Sequence, residues 1–325
     1  MKPAPSGLIL LHKPPGITSF DSLRDIKRAL GTGKAGHTGT LDKFAEGLLL
    51  VLTGKALKLS RWFTHCDKQY EGTICFGTET ETLDPEGAVI ASAPLPSREA
   101  VEQALSQFRG AIEQAPPAYS AIHIDGERAS TLARRGETPE MQKRPITIYR
   151  LELLSWEPPF AQIFVHCSSG TYIRSLARDI ALAASSRAHL VRLLRMRVAE
   201  FSVNEELEMR NEEEGTGDWG LGTRDSCSQS ERVGNPLHLQ TNIPSPQSPV
   251  PINKSVFEKL GIPCLEISPQ DATNVFHGKS LGPIVGNTPP SGANAATALF
   301  SGDTFIAIIE YSNNKWKYGY VYAHN

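Results

Sequence analysis

Ala35-Gly36-His37-Thr38-Gly39-Thr40-Leu41-Asp42-Lys43-Phe44-Ala45-Glu46 runs straight into Gly47-Leu48-Leu49-Leu50-Val51-Leu52-Thr53, and the junction decides the fold. The second stretch is an unbroken apolar run of strand length, which reads as a fully buried strand. The first is polar and rich in glycine, so residues 31–46 read as a loop. An aspartate in such a loop, just ahead of a buried strand, can be held at a cleft while the backbone stays close to a ligand. On composition alone, the commoner role of a loop aspartate is to cap a turn or the element that follows.

Outward from this junction the pattern alternates between the two element types. Residues 7–12 form a short apolar strand that ends in Lys13-Pro14-Pro15-Gly16. Phe20, Leu23, Ile26 and Leu30 then recur at helical spacing behind Thr18 or Ser19 as the cap. Residues 55–63 read as a helix and 69–77 as a strand. Residues 97–108 are amphipathic at helical period, with Ala100, Val101, Ala104, Leu105 and Phe108 on one face. A strand is expected over 119–124 before the Asp125-Gly126 turn. Paired strands are expected over 147–156 and 161–168 around Pro158-Pro159, then a helix over 172–184 and a closing segment 189–201. The expected class is α+β with a largely antiparallel sheet over 1–203. Residues 204–251 hold few large apolar side chains and read as a polar linker or insertion. Residues 252–325 resume a folded pattern: a helix ends near His277, and 304–311 and 316–322 form a β-hairpin about Asn313-Asn314, giving a small β-rich C-terminal domain.

The bulk properties exclude several classes. With 40% hydrophobic and 21% charged residues, the 325-residue chain has the balance of an ordinary globular protein. The apolar run at 47–53 is too short to span a bilayer. Met1 to Gly7 lacks the apolar core of a secretion signal, so a cytoplasmic location is expected. The five cysteines are scattered without a Cys-x-x-Cys pair, which argues against structural zinc and a disulfide framework. Net charge is −2, but residues 205–232 contribute nine acidic side chains against three arginines, leaving the rest of the chain at +4. Residues 171–198 carry six arginines (174, 178, 187, 192, 195 and 197) against Asp179 alone. Such a run suits phosphate contact, but it equally describes the solvated face of a helix.

The loop Gly36-His37-Thr38-Gly39-Thr40-Leu41-Asp42 resembles the active-site motif of the TruB family of tRNA pseudouridine synthases. Further segments resemble that family in order: Lys13-Pro14-Pro15-Gly16-Ile17-Thr18-Ser19, Asp67-Lys68-Gln69-Tyr70, residues 77–87 through Asp84-Pro85-Glu86-Gly87, Phe108-Arg109-Gly110, Gln114-Ala115-Pro116-Pro117-Ala118-Tyr119-Ser120-Ala121, Gly170-Thr171-Tyr172-Ile173-Arg174, and 189–195. The resemblance covers about residues 7–201. It implies a nucleophilic role for Asp42 and pairing of Arg174 with it, which would lower the carboxylate pKa by ~1–3 units through a two-pronged hydrogen bond. It implies an active-site tyrosine at Tyr70, and contacts of His37, Tyr70, Tyr172 and Leu193 with an extruded nucleotide. The substrate it implies is the T-loop uridine at position 55 of tRNA, recognised in its stem–loop by a monomer, with no metal or other cofactor and no membrane. The C-terminal block resembles, more faintly, an RNA-binding domain of PUA type.

Three positions depart from the family pattern. Lys43 replaces a proline, Glu46 a small residue, and His12 an aspartate. Two other classes compete with the synthase. A non-catalytic tRNA-binding or RNA-folding protein would bind without needing the Asp42 carboxylate. A glycoside hydrolase would need two carboxylates where the motifs offer one with an arginine.

Overall fold

The computed structural model of the chain describes residues 5–137, 139–203, 249–286 and 296–322. In chain order the first part comprises β1 Gly7–Lys13, α1 Leu23–Ala29, β2 Ala35–His37, β3 Glu46–Thr53, a 3-10 turn Gly54–Leu59, α2 Ser60–Thr64 and β4 Lys68–Phe76. A small hairpin, β5 Thr78–Thr80 and β6 Val89–Ser92, precedes α3 Arg98–Ser106 and β7 Gly110–Gln114. Then come β8 His123–Ile124, β9 Glu127–Arg128, α4 Ala129–Arg134, β10 Arg144–Glu157, β11 Phe160–Cys167, α5 Ile173–Ala183, β12 Ala188–Val198 and β13 Phe201–Ser202.

The main sheet runs β1-β3-β12-β4-β11-β10-β7, with β2 joined to β3 and β13 to β12. Every pairing is antiparallel except β3 with β12, which run parallel at Glu46–Leu194 and Gly47–Arg195. The fold is therefore α+β with a largely antiparallel sheet. Gly47 makes the parallel contact possible. Its φ is +110, and a Cβ there would lie 2.3 Å from the Arg195 carbonyl oxygen.

The apolar run at 47–53 is buried on two faces that meet different neighbours. Leu49 and Val51 pack with Ile9, Leu11, Leu23 and Ile26 beneath α1. Leu48, Leu50 and Leu52 face the other way, into a core shared with the C-terminal part. A third core, under α3 and α5, joins β4, β10, β11 and β12 and reaches Leu41 and Ala45 in the loop before β3. That loop therefore sits where the cores meet.

The C-terminal part is a four-stranded sheet, β14 Cys264–Glu266, β15 Ala296–Ser301, β16 Thr304–Ser312 and β17 Lys315–Val321, in that order. The helices Lys254–Lys259 and Pro269–Phe276 pack in its cores. The expected hairpin is present, and Asn313 and Asn314 both take positive φ at its turn. Phe257, Phe300 and Phe305 pack in one cluster with Phe63, Phe201 and the β3 leucines, so one apolar interior runs from sheet to sheet. Residues 204–248, where a linker is expected, lie outside the described residues.

Several local expectations change. Residues 35–37 are a strand, because Ala35, Gly36 and His37 pair with Thr53, Leu52 and Val51. Helix α1 starts only at Leu23, since Thr18 and Asp21 bond one another in a turn, and Phe20 is left 69% exposed instead of joining the apolar face. Within 119–124 only His123–Ile124 is strand. The helix expected over 55–63 divides into a 3-10 turn and α2. The arginine run is neither a solvated helix face nor a free basic patch. Arg178, Arg187, Arg192 and Arg197 pair with Asp179, Glu79, Glu46 and Glu200, while Arg174 and Arg195 are buried.

Candidate active site

Arg174 lies in the first turn of α5, whose apolar face anchors the helix in the core. Its guanidinium reaches three loops at once. Nη2 donates to Asp42 Oδ1 at 3.0 Å and to the Tyr119 carbonyl at 3.1 Å. Nη1 donates to the Thr82 carbonyl at 2.7 Å and to Asp84 Oδ2 at 3.2 Å. Nε stands 2.8 Å from Asp42 Oδ2, close enough for an ion pair but out of line for a hydrogen bond. The expected fork thus has one aligned prong and one electrostatic contact.

The Asp42 side chain is 37% exposed, so its carboxylate is open to solvent on one side while Arg174 holds it on the other. Withdrawal from solvent raises its pKa above the ordinary carboxylate value. Arg174 opposes this, Asp84 adds to it, and Lys13 also pulls it down. The expectation that Arg174 would depress the pKa is therefore corrected: the cation is in place, but desolvation outweighs it. The guanidinium of Arg174 and the ammonium of Lys13 both favour the anion against that burial.

Two further cations support the loop from beneath. Lys13, fully buried, donates to the carbonyls of Ala45 at 2.6 Å, Ile17 at 2.8 Å, Pro14 at 2.9 Å and Lys43 at 3.3 Å. Burial pushes its pKa down to about 8, which leaves it mostly charged at neutral pH. Arg195 donates from β12 to carbonyls on both sides of Asp42. Ser19 closes the rim, its hydroxyl accepting from the Leu41 N–H at 2.8 Å and donating to the Leu41 carbonyl at 2.9 Å.

Tyr70 lies on β4 opposite Arg195 and is almost wholly buried. Burial pushes its phenol up to about 12, with Arg195 opposing, so it is neutral near pH 7 and serves better as a stacking surface than as a base. Tyr172 immediately precedes α5. Gln114 fixes its backbone by accepting from its N–H at 2.8 Å and donating to its carbonyl at 3.1 Å. Burial, and then the Asp42 charge, raise its phenol above the ordinary value. His37, on β2, has a buried Nδ1 without a hydrogen-bond partner among the described residues, and its pKa is lowered by burial and by Arg195. Leu193 is buried in the core under α5, and nothing in its contacts distinguishes it from a packing residue.

Asp84, Lys13, Arg195 and Gln114 carry structural weight that sequence reasoning did not assign. All four lie inside the quoted ordered segments, which was the available signal. The departures find partners. Lys43 pairs with Glu86 at 3.2 Å and Glu46 with Arg192 at 2.9 Å, so neither leaves an uncompensated charge beside the site.

The comparisons agree with this geometry. Residues 27–173 match the model of the TruB family pseudouridylate synthase N-terminal domain. The chain is 42% identical over 203 residues to the tRNA pseudouridine synthase B of Borreliella burgdorferi (strain ZS7), covering 62% of this chain and 72% of that protein. It is 34% identical to the protein of that name from Treponema denticola, over 96% of both chains. A Cbf5-Nop10-Gar1 complex has a chain that superposes with a TM-score of 0.58 at 22% identity, covering 94% of this chain and 78% of that one, and shares the fold. A buried arginine clamped on a partly exposed aspartate, within this sheet and these matches, defines a uridine isomerase. The chain belongs to the TruB family of pseudouridylate synthases, enzymes that convert uridine to pseudouridine through an aspartate.

Proposed function

We propose that the substrate is the T-loop uridine at position 55 of tRNA and that Asp42 is the nucleophile. The names of the relatives support tRNA as the RNA, and the Asp42–Arg174 pair carries the catalytic assignment. In this reading the N1–C1′ bond breaks with its electron pair going to N1, the uracil turns within the site, C5 bonds to C1′, the C5 proton leaves and N1 takes up a proton, so the product is an isomer. Arg174 orients the carboxylate and steadies its charge. Extruding the uridine costs roughly a few kcal/mol. Stacking on an aromatic ring returns about 1–3 kcal/mol, which suits Tyr70 as the face against the base. His37 and Tyr172 line the approach to the flipped nucleotides, and Leu193 contributes an apolar edge. Residues 1–203 form the catalytic unit, 204–251 a linker, and 252–325 a small domain with a PUA-like role in RNA contact. The enzyme works as a monomer in the cytoplasm, which the free thiols of Cys66, Cys75, Cys167 and Cys264 suit.

The test is tritium release from carbon-5-labelled uridine in a T-arm stem–loop, with no metal or nucleotide added. Wild type releases tritium, and Asp42→Asn releases none while binding the RNA as before. Equal release from Asp42→Asn removes that carboxylate from the mechanism.

A further inference from the structure

Arg195 is buried at mid-strand on β12, and among the described residues its guanidinium meets carbonyls and no carboxylate. Nε donates to the Leu48 carbonyl at 2.8 Å, Nη2 to Gly39 at 3.2 Å, and Nη1 to Thr40 at 3.5 Å. Gly39 and Thr40 precede Asp42, and Leu48 follows it. One planar cation thus fastens the nucleophile loop at both ends. The strand beneath is brought close by the parallel Gly47–Arg195 contact that only glycine allows.

Keeping a cation in the interior without an anionic partner costs several kcal/mol, so its retention calls for a use that a neutral side chain cannot supply. A loop of glycine and threonine has wide conformational freedom, and three directed bonds from one rigid fork remove much of it. A lysine presents one donor centre on a flexible stem, whereas here three separate nitrogens of one rigid plane serve Leu48, Gly39 and Thr40. The same guanidinium stands opposite Tyr70 across the β12–β4 ladder.

We propose that Arg195 is a positioning residue of the reaction. It closes the loop over residues 39–48 from beneath, holds the Asp42 carboxylate against Arg174 and fixes the Tyr70 ring beside it, without touching the nucleotide. The proposal rests on Asp42 acting as stated above.

The experiment compares Arg195→Lys and Arg195→Met with wild type in single-turnover rate on the stem–loop, RNA affinity, and titration of the Asp42 carboxyl by carbon NMR without RNA. The lysine variant is expected to fold and bind RNA as wild type does. Its rate falls about ten- to a hundredfold, the scale set by small misplacement of a reacting group. Its Asp42 titration moves to higher pH, because a loosened loop surrenders part of the Arg174 contact. Arg195→Met goes further in both. A lysine variant with wild-type rate and titration overturns the proposal. So does a rate loss matched by an equal loss of affinity, which would make Arg195 a phosphate contact. A lysine variant that does not fold makes Arg195 purely structural and overturns it too. Should wild type release no tritium, the function proposed above fails, and the carboxyl titration alone then decides the role of Arg195.

Discussion

The Asp42 loop and the C-terminal sheet are held by opposite means. Residues 39–48 rest on Lys13, Arg174 and Arg195, which reach the loop through charged, directional hydrogen bonds at fixed atoms. The sheet β14–β17 rests on Phe257, Phe300, Phe305 and Ile308, which contribute area without direction. Apolar burial scales with surface and tolerates small shifts. A charged bond to a carbonyl is lost within an ångström. The difference teaches that stability and chemical precision are supplied by different residues here, and that a substitution in one region should move one property and spare the other.

The largest expected effect lies in the sheet. Phe257→Ala should lower stability by about 3–5 kcal/mol in denaturant unfolding, while turnover per folded molecule stays at the wild-type level. A matching loss of turnover breaks the separation. In the loop, Arg174→Met should reduce the single-turnover rate by about 10²–10³, as removal of a preorganised charge donor does, with RNA affinity unchanged.

The pH profile sharpens the same point. With Asp42 as the proposed nucleophile, the rate needs its anion, so it is expected to be full above the folded pKa and lost as pH falls through it. Because burial raises that pKa, the acid limb should stand above the ordinary aspartate value of about 3.9. In Arg174→Met the cation opposing burial is gone and the limb should move higher still. A limb at or below the ordinary value means that Arg174 outweighs desolvation. The smallest effect belongs to Lys43→Ala. Its ion pair with Glu86 is half-exposed on both sides, and the rate should change by less than about fivefold.

The parts of this molecule that obey a local rule were legible. The run at 47–53 shows as a strand because every side chain in it is buried, and the Asn313-Asn314 turn shows because both residues tolerate positive φ. Strand β2 was hidden, since three residues acquire strand geometry only by pairing with β3 some fifteen positions away. Phe20 was misplaced because the Thr18–Asp21 turn competes with the first turn of helix, a choice that spacing does not reveal. Asp42, Tyr70 and Arg174 could be named from ordered motifs, and the structure brings them together. The carbonyl-binding roles of Lys13 and Arg195 carry no pattern, because their acceptors are backbone atoms common to every residue type. The direction of the Asp42 pKa was missed for a related reason. A sequence displays the arginine but not the protein mass that excludes water.

The apolar interior that runs unbroken from the β3 leucines to Phe300 and Phe305 has a consequence for how the molecule comes apart. Severing the chain after residue 203 would strip the cover from Leu8, Leu50 and Phe63 and leave a sticky leucine wall. Neither fragment should then stay dispersed by itself. Heating the intact enzyme should give a single calorimetric peak, with both halves melting together.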